Sequence, residues 1–339
     1  MSYKIPSIWF KITAGALAWL IIVAGLHYWL NFDHSKREVV KMGYMPVITN
    51  LASPLLAEAS KNSEGIRFEA IKFASFAEMS EALRNGKIQA GFMIAPLSIV
   101  LRQQGEDVRV VYIGNRHEST LVVKKDLPVQ KFSDLENKTI AVPIRFSGHN
   151  IAAHLLAEKN GMLGRVKIVE MNPPDMASAL TIGALDGYFV GEPFAAQTVF
   201  KGHSKVLHYV EEVWPGFICN LLVVRGEFIN DHPDEFELLV HGAIRSGLWA
   251  QKNIKEAAKI ASQYWNQPVE LVEYAMTTPP NRIVFNQYTP VEKEMQYLAD
   301  QMVHFGLTKH NDIKGLVYDR AARSVNTDGI TDLKSILAE

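Results

Sequence analysis

The chain has 339 residues, 48% of them apolar, and its 35 Lys and Arg nearly balance 36 Asp and Glu, for a formal net charge of −1. That length buries a sizeable core and is enough for two domains. The even charge offers neither a basic stripe for nucleic acid nor an acidic partner-binding arm. One cysteine, Cys219, excludes an intrachain disulfide framework and a Cys-rich zinc site, and it fits a reducing or an oxidising compartment equally.

The first element is an apolar run from Ile12 to Leu30, preceded by Lys4 and Lys11 and followed by Lys36 and Arg37. It approaches the about 20 residues that a helix needs to span a bilayer, and Trp19, Tyr28 and Trp29 suit the headgroup level. The run is long for the h-region of a cleaved signal, and neither a small-x-small cleavage site nor a lipid-anchoring cysteine follows it. Residues 1–37 therefore read as a membrane anchor, with a cleaved signal peptide as the alternative. Both place everything after about residue 38 on the periplasmic or cell-surface side.

An internal repeat follows. Val39–Gly43 reads as a buried strand, then a polar turn and a helix starting near Ser53-Pro54. Ser75 and Glu78 form a capping-box pattern at the next helix. Met79, Ala82, Leu83, Gly86 and Phe92 recur as Met176, Ala179, Leu180, Gly183 and Phe189, and Pro96 and Pro193 keep the same offset of 97 residues. Each copy reads as a short helix, a glycine stop, a buried strand and a proline-started helix. Around these cores Thr139–Pro143 matches Val39–Gly43, and Val206–Val210 matches Val108–Ile113. Leu221-Leu222-Val223-Val224-Arg225 matches Thr120-Leu121-Val122-Val123-Lys124. Strands alternating with helices imply mostly parallel sheets covered on both faces, and the period far exceeds the about 20–50 residues of a solenoid. Helices 234–252, 255–265, 269–276 and 290–305 then complete the chain. The expected fold is α/β with two lobes: residues 38–123 plus 223–339 form a discontinuous first lobe, 124–222 the second, and the two closing strands act as the hinge.

Enzyme motifs do not appear. Eleven histidines contain no H-E-x-x-H, and His149 and His154 stand five apart, poorly placed on one helical face. There is no G-x-S-x-G, Walker loop or G-x-G-x-x-G, and Cys219 sits in an apolar setting that suits an inert thiol. In open α/β sheets ligands bind beyond the carboxyl ends of strands, which singles out five loops. Tyr44, Met45, Thr49 and Asn50 lead into a helix whose free N–H groups suit an anion, though Tyr44 and Met45 also fit a packing role. Pro96 starts a helix beside them. Asn115, Arg116 and His117 lie between two apolar strands; Arg116 offers a bidentate anion contact or a surface pair with Glu118. Arg145, Ser147, Gly148, His149 and Asn150 combine a cation, a hydroxyl and close backbone approach at another helix start, where Ser147 also serves as a cap. Glu192 precedes Pro193 and caps a helix or meets a solute N–H. Trp214 supplies an aromatic wall or core packing.

The residues Gly43-Tyr44-Met45-Pro46, Ala95-Pro96-Leu97, Phe132-Ser133-Asp134-Leu135-Glu136-Asn137-Lys138-Thr139-Ile140-Ala141-Val142-Pro143 and Gly191-Glu192-Pro193-Phe194 resemble the periplasmic solute-binding proteins of ABC importers. The resemblance is to the nitrate/sulfonate/taurine class and its thiamine-pyrimidine relatives, and it covers roughly residues 38–300. It implies a type II periplasmic binding protein fold closing on a small anionic or zwitterionic solute, with Glu192 in the cleft. The implied partners are a permease subunit and its ATPase, with no cofactor, metal or nucleic acid and a monomeric state. A membrane-tethered sensor or scaffold on the same fold is the alternative. The pyrimidine-synthase relatives are enzymes, and their multi-cysteine motif is missing here.

Overall fold

A computed structural model describes residues 7–31, 37–63 and 65–338. The chain divides into two units, residues 1–38 and 39–339. In the first, helix α1 (Ser7–Asn31) includes the expected apolar run and extends it toward the N-terminus. Its 25 residues rise about 1.5 Å each, roughly 37 Å in all. Large apolar side chains are exposed on every face, Trp19 and Leu20 by 69% and 68%. The stretch Ile8–Leu30 is long and apolar enough to cross a membrane.

In the second unit the strands are β1 (Glu38–Tyr44), β2 (Ile66–Lys72), β3 (Ala90–Ile94), β4 (Val108–Ile113), β5 (Ser119–Lys124), β6 (Thr139–Val142), β7 (Lys167–Glu170), β8 (Gly187–Gly191), β9 (Ser204–Tyr209) and β10 (Asn220–Arg225). The helices of the first copy are α2 (Ala52–Ser60), α3 (Phe76–Arg84) and α4 (Ala95–Gln103); those of the second are α5 (Gly148–Lys159), α6 (Pro173–Thr181), α7 (Phe194–Phe200) and the single turn α8 (Val210–Val213). After β10 come α9 (Gly226–Asp231), α10 (Pro233–Lys252), α11 (Ile254–Trp265), α12 (Val269–Thr277), α13 (Glu292–His304) and α14 (Arg320–Ser324). Ser75 caps α3 as expected, accepting from the Glu78 N–H at 3.2 Å.

The strands form two five-stranded sheets of the same order, β2-β1-β3-β10-β4 and β7-β6-β8-β5-β9. Copy by copy the strands correspond, but the closing strands are exchanged. β5, encoded at the end of the first copy, runs antiparallel between β8 and β9 of the second sheet; β10 runs antiparallel between β3 and β4 of the first. Each carries its register shift at the equivalent place, Leu121/Val122 and Leu222/Val223. Gly187 makes one such pairing possible: a Cβ there would lie 2.5 Å from the Val122 carbonyl.

Sheet membership therefore corrects the expected boundaries at 123/124 and 222/223, which fall at the far end of β5 and inside β10. The chain passes between the sheets at residues 114–118 and 214–219, and these crossings pair with each other through Arg116 and Ile218. The expectation also omits β2 and β7. Both are sheet edges, partly exposed and interspersed with charge.

Apolar clusters cover both faces of each sheet, one of them anchored by Trp249, Phe236 and Phe68, another by Phe132, Leu156 and Phe217. The C-terminal helices pack back on the first half, α10 against α2, as expected; α12 and α13 also reach α7 and α5 of the second. Two side chains interlock the halves. Val47, from the first, sits in the cluster of Tyr188 and Phe194; Ile151, from the second, sits among Met45, Met93 and Ile94.

Candidate functional site

The carboxyl ends of β1 and β3 face those of β6 and β8 across the crossing segments, and polar residues from both halves are buried where they meet. After β1 the chain turns through a 3₁₀ turn, Ile48–Asn50, into α2 with no side-chain cap. The halves touch by main chain here: the Ile48 N–H donates to the Glu192 carbonyl at 2.8 Å. Asn50 donates to the Met45 carbonyl at 2.9 Å and accepts from the Asn220 amide at 2.7 Å. Tyr44 and Met45 take the packing role. The Tyr44 hydroxyl donates to the Tyr264 carbonyl, and Met45 lies in the core with Met93. Pro96 is buried in the first turn of α4, whose Ala95 N–H donates to the Cys219 carbonyl at 2.9 Å.

At the first crossing, Gly114 lies so close to the β1 turn that a Cβ would meet the Thr49 carbonyl oxygen at 1.9 Å. Asn115 is 1% exposed and donates its amide to the Ile48 carbonyl at 3.0 Å. Arg116 is not free for an anion. Its guanidinium donates to the carbonyls of Gln287 and Gly216 at 3.2 and 2.6 Å and pairs with Glu294 at 2.9 Å, so the expected pair with Glu118 does not form. His117 adopts the left-handed region (φ 68°) and accepts from the Gly216 N–H at 3.0 Å; desolvation holds its pKa down.

In the second half, Ser147 caps α5 by accepting from the Asn150 N–H at 3.1 Å, and the Asn150 amide donates to the Arg145 carbonyl at 2.9 Å. Arg145 itself is exposed, its guanidinium 4.6 Å over the Phe146 ring. Gly148 lies against Phe217, where a Cβ would come within 2.8 Å of the ring. His149 is packed edge-on between Phe189 and Phe217. Its Nε2 lies 2.9 Å from Ser119 Oγ and 3.8 Å from Cys219 Sγ. Burial lowers its pKa to about 3, so the ring is neutral. Trp214, by contrast, is half-buried against Phe217 and Tyr297 and lines a separate groove of about 530 Å³ with Lys293 and Leu298.

Glu192 enters the cluster as an acid. Its carboxylate accepts from Thr120 Oγ1 and the Ala196 N–H, each at 2.7 Å, so it also braces the first turn of α7. Several members of the cluster lie outside the sequence expectation. Glu118, fully buried, accepts from the Glu192 N–H at 2.6 Å and from Ser119 Oγ at 3.1 Å; burial raises its pKa to about 7. Arg282, from the segment after α12, lies 3.8 Å from Glu192 and 2.9 Å from Glu211, donates to the Ser119 carbonyl and stacks over Tyr209. Burial, with Glu118 adding to it, pushes the Cys219 thiol up, consistent with an inert group. The signal for Glu118 and Ser119 was their place beside the crossing; for Arg282 there was none, since it arrives from 163 residues away.

Five atoms in and beside this cluster are buried without a hydrogen-bond partner: Thr49 Oγ1, Ser53 Oγ one turn further along α2, Asn115 Oδ1, His149 Nδ1 and Arg282 Nη1. Each such atom destabilises a folded protein by about 1–3 kcal/mol relative to a satisfied one. Their grouping between the strand ends of both halves marks the place where a bound molecule's polar groups do most.

A protein-family model, the NMT1-like family, matches residues 33–263. A putative aliphatic sulfonates-binding protein of Bacillus subtilis (strain 168) is 26% identical over 302 residues, 84% of this chain and 87% of that protein. The taurine-binding periplasmic protein of Escherichia coli (strain K12) is 32% identical over 178 residues, 51% of this chain and 54% of it. Among solved structures, the ligand binding component of an ABC-type import system from Staphylococcus aureus, with zinc bound, superposes with a TM-score of 0.77 at 21% identity, covering 86% of this chain and 99% of that one.

Proposed function

This chain belongs to the NMT1-like family, and from that premise we propose that it is the extracytoplasmic solute-binding subunit of an ABC importer. Its fold is that of the periplasmic binding proteins, and its relatives are solute-binding proteins rather than enzymes. In this reading the two sheets with their helices are lobes, and residues 114–118 and 214–219 are the hinge. A small solute enters between the strand ends, and the closed form docks on a permease served by a separate ATPase. Helix α1 keeps the protein at the membrane, as a monomer. The solute meets Thr49, Asn50, Asn115, Ser147, His149 and Glu192, whereas Arg116 and Arg145 serve the hinge and the surface.

The observation that carries this reading is the strand exchange. It produces two paired crossings with polar groups of both halves buried directly in front of them. A ligand shifts such an equilibrium only by binding one form better, and at a hundredfold excess over Kd it stabilises that form by about 2.7 kcal/mol. Thermal melts of the full-length protein with taurine, alkanesulfonates, nitrate, bicarbonate and a hydroxymethyl-aminopyrimidine should therefore show a rise of several degrees for at least one, with a smaller radius of gyration in solution scattering. A stabilising solute that leaves the scattering unchanged argues against hinge closure. Resistance of the mature protein to alkaline extraction from membranes tests the anchor.

A further inference from the structure

We infer that His149 and Asn115 act as a pair of hydrogen-bond acceptors that select a solute bearing N–H groups, an ammonium or an amino substituent, over a plain oxyanion. This rests on the cleft being the solute site, and it names the chemistry that the site prefers.

The assignment of acceptors follows from the network. Ser119 Oγ donates to Glu118 Oε1, so the hydroxyl has only lone pairs left for His149. The contact from Nε2 to Ser119 Oγ at 2.9 Å is therefore an N–H donated by the ring, and a neutral imidazole with its proton on Nε2 presents a bare lone pair at Nδ1. That atom is buried with no partner. Asn115 is fixed in the same sense: its amide nitrogen donates to the Ile48 carbonyl, which leaves Oδ1 as a buried acceptor, again without a partner. The two belong to one connected cluster. Asn115 is bonded to the turn that carries Asn50, Asn50 to Asn220, and Asn220 to Cys219, which lies against His149. The satisfying group at both ends is a donor.

The charges point the same way. An oxyanion specialist of this design needs a cation or a row of free donors, and the described arginines near the cleft are already paired with carboxylates and carbonyls or lie exposed. Arg116 is held by two carbonyls and Glu294, Arg145 lies exposed over Phe146, and Arg282 faces Glu192 and Glu211, which neutralise it although its Nη1 has no hydrogen-bond partner. Glu118 and Glu192 are fully buried beside the same cluster. A negative charge added next to His149 would lie beside both acids wherever they are ionised, whereas an N–H donor would not oppose them. The hydroxyls of Thr49 and Ser53, at the uncapped entry to α2, remain for an acceptor at the other end of the solute.

Titration calorimetry on the full-length protein tests this with matched probes: taurine against ethanesulfonate, which differ by the amine alone, and 4-aminopyrimidine against pyrimidine, with nitrate as the bare oxyanion. The first pair reports an ammonium, the second a neutral amino group. The expected result is at least tenfold tighter binding of one amino probe than of its amine-free counterpart and of nitrate. His149→Phe should cut that ratio below threefold, and Asn115→Leu, which removes the second acceptor, should do so independently should the first variant fail to fold. Ethanesulfonate, pyrimidine or nitrate binding as tightly as the amino probes overturns the inference and leaves the cleft as the solute site. A ratio that survives both variants overturns the residue assignment in the same way. Binding by none of the five defeats the cleft reading itself.

Discussion

In the first copy of the repeat, the turn after β1 enters α2 without a side-chain cap and leaves the hydroxyls of Thr49 and Ser53 unpartnered. In the second, the equivalent turn is capped by Ser147, and the histidine behind it is wedged between two phenylalanines. The proline turns at the starts of α4 and α7 differ in the same way: Pro96 is preceded by Ala95, whereas Pro193 is preceded by Glu192, whose carboxylate is braced by Thr120 and Ala196. The two halves share their topology and even the register shifts, but not the polar groups buried where they meet. On the first side the open groups are hydroxyls, on the second a ring nitrogen of His149 beside two buried acids, whose counter-charge, Arg282, comes from outside the repeat. In a two-fold scaffold, what distinguishes one solute from another has to lie in the asymmetry.

The strongest way to break this comparison is to remove the borrowed cation. Arg282→Met leaves Glu192 buried without its partner and should destabilise the protein by about 3–5 kcal/mol at pH 8, and by less at pH 5, where the carboxylates take up protons; denaturant unfolding at both pH values reads it. Gly114→Ala forces the first crossing away from the Thr49 carbonyl; a loss of about 3 kcal/mol together with weaker solute binding is expected from melts and calorimetry. Glu118 tests the acid network by pH. Its folded pKa, about 7, stands above the ordinary 4.5, so the folded state holds the proton longer than the unfolded one. Its contribution is full below pH 4.5 and is lost as pH rises to about 7, on the order of 3 kcal/mol. His149 has the opposite slope, because its pKa of about 3 lies below the ordinary 6.5, so the two oppose each other between pH 4.5 and 6.5. The difference between Glu118→Gln and the parent isolates the acid: the variant should gain stability relative to the parent as pH rises from 5 to 8, and a flat difference rules the buried acid out.

Smaller effects sharpen the boundary between the halves. Val47→Ala removes a first-half side chain from the second-half core and should destabilise by about 1–2 kcal/mol, with faster release of solute in stopped-flow traces. Arg145→Ala, on the surface over Phe146, should change stability by less than about 0.5 kcal/mol and leave binding unchanged within twofold. A tenfold loss of affinity there would restore Arg145 as a solute ligand.

What could be read from the chain divides along physical lines. Strands buried on both faces, such as Ala90–Ile94 and Gly187–Gly191, announce themselves as apolar runs, and their repetition exposes the duplication. Edge strands are half solvated: the alternation of Ile66, Phe68 and Ala70 with Arg67 and Glu69 is a legible trace of β2, while Lys167–Glu170 holds only two apolar residues. Periodicity says that Thr120–Lys124 is a strand but not which sheet receives it, and so the expected boundary between the sheets fell a strand length away. Ser147, Asn115, His149 and Glu192, which the structure buries where the two halves meet, were legible as residues that follow strand ends. The partners of Arg116 were not legible, because a guanidinium's appetite for backbone carbonyls, met here by Gln287 and Gly216, is invisible until the chain is folded.

The exchanged strands also bear on ancestry. A polypeptide holding one copy alone would make its four mainly parallel strands and then project the fifth with no neighbours, while a slot stood open between its third and fourth. Two such molecules would complete each other by mutual insertion. Joining their genes would convert that handshake into a single chain with two crossings, and would free each side to mutate on its own.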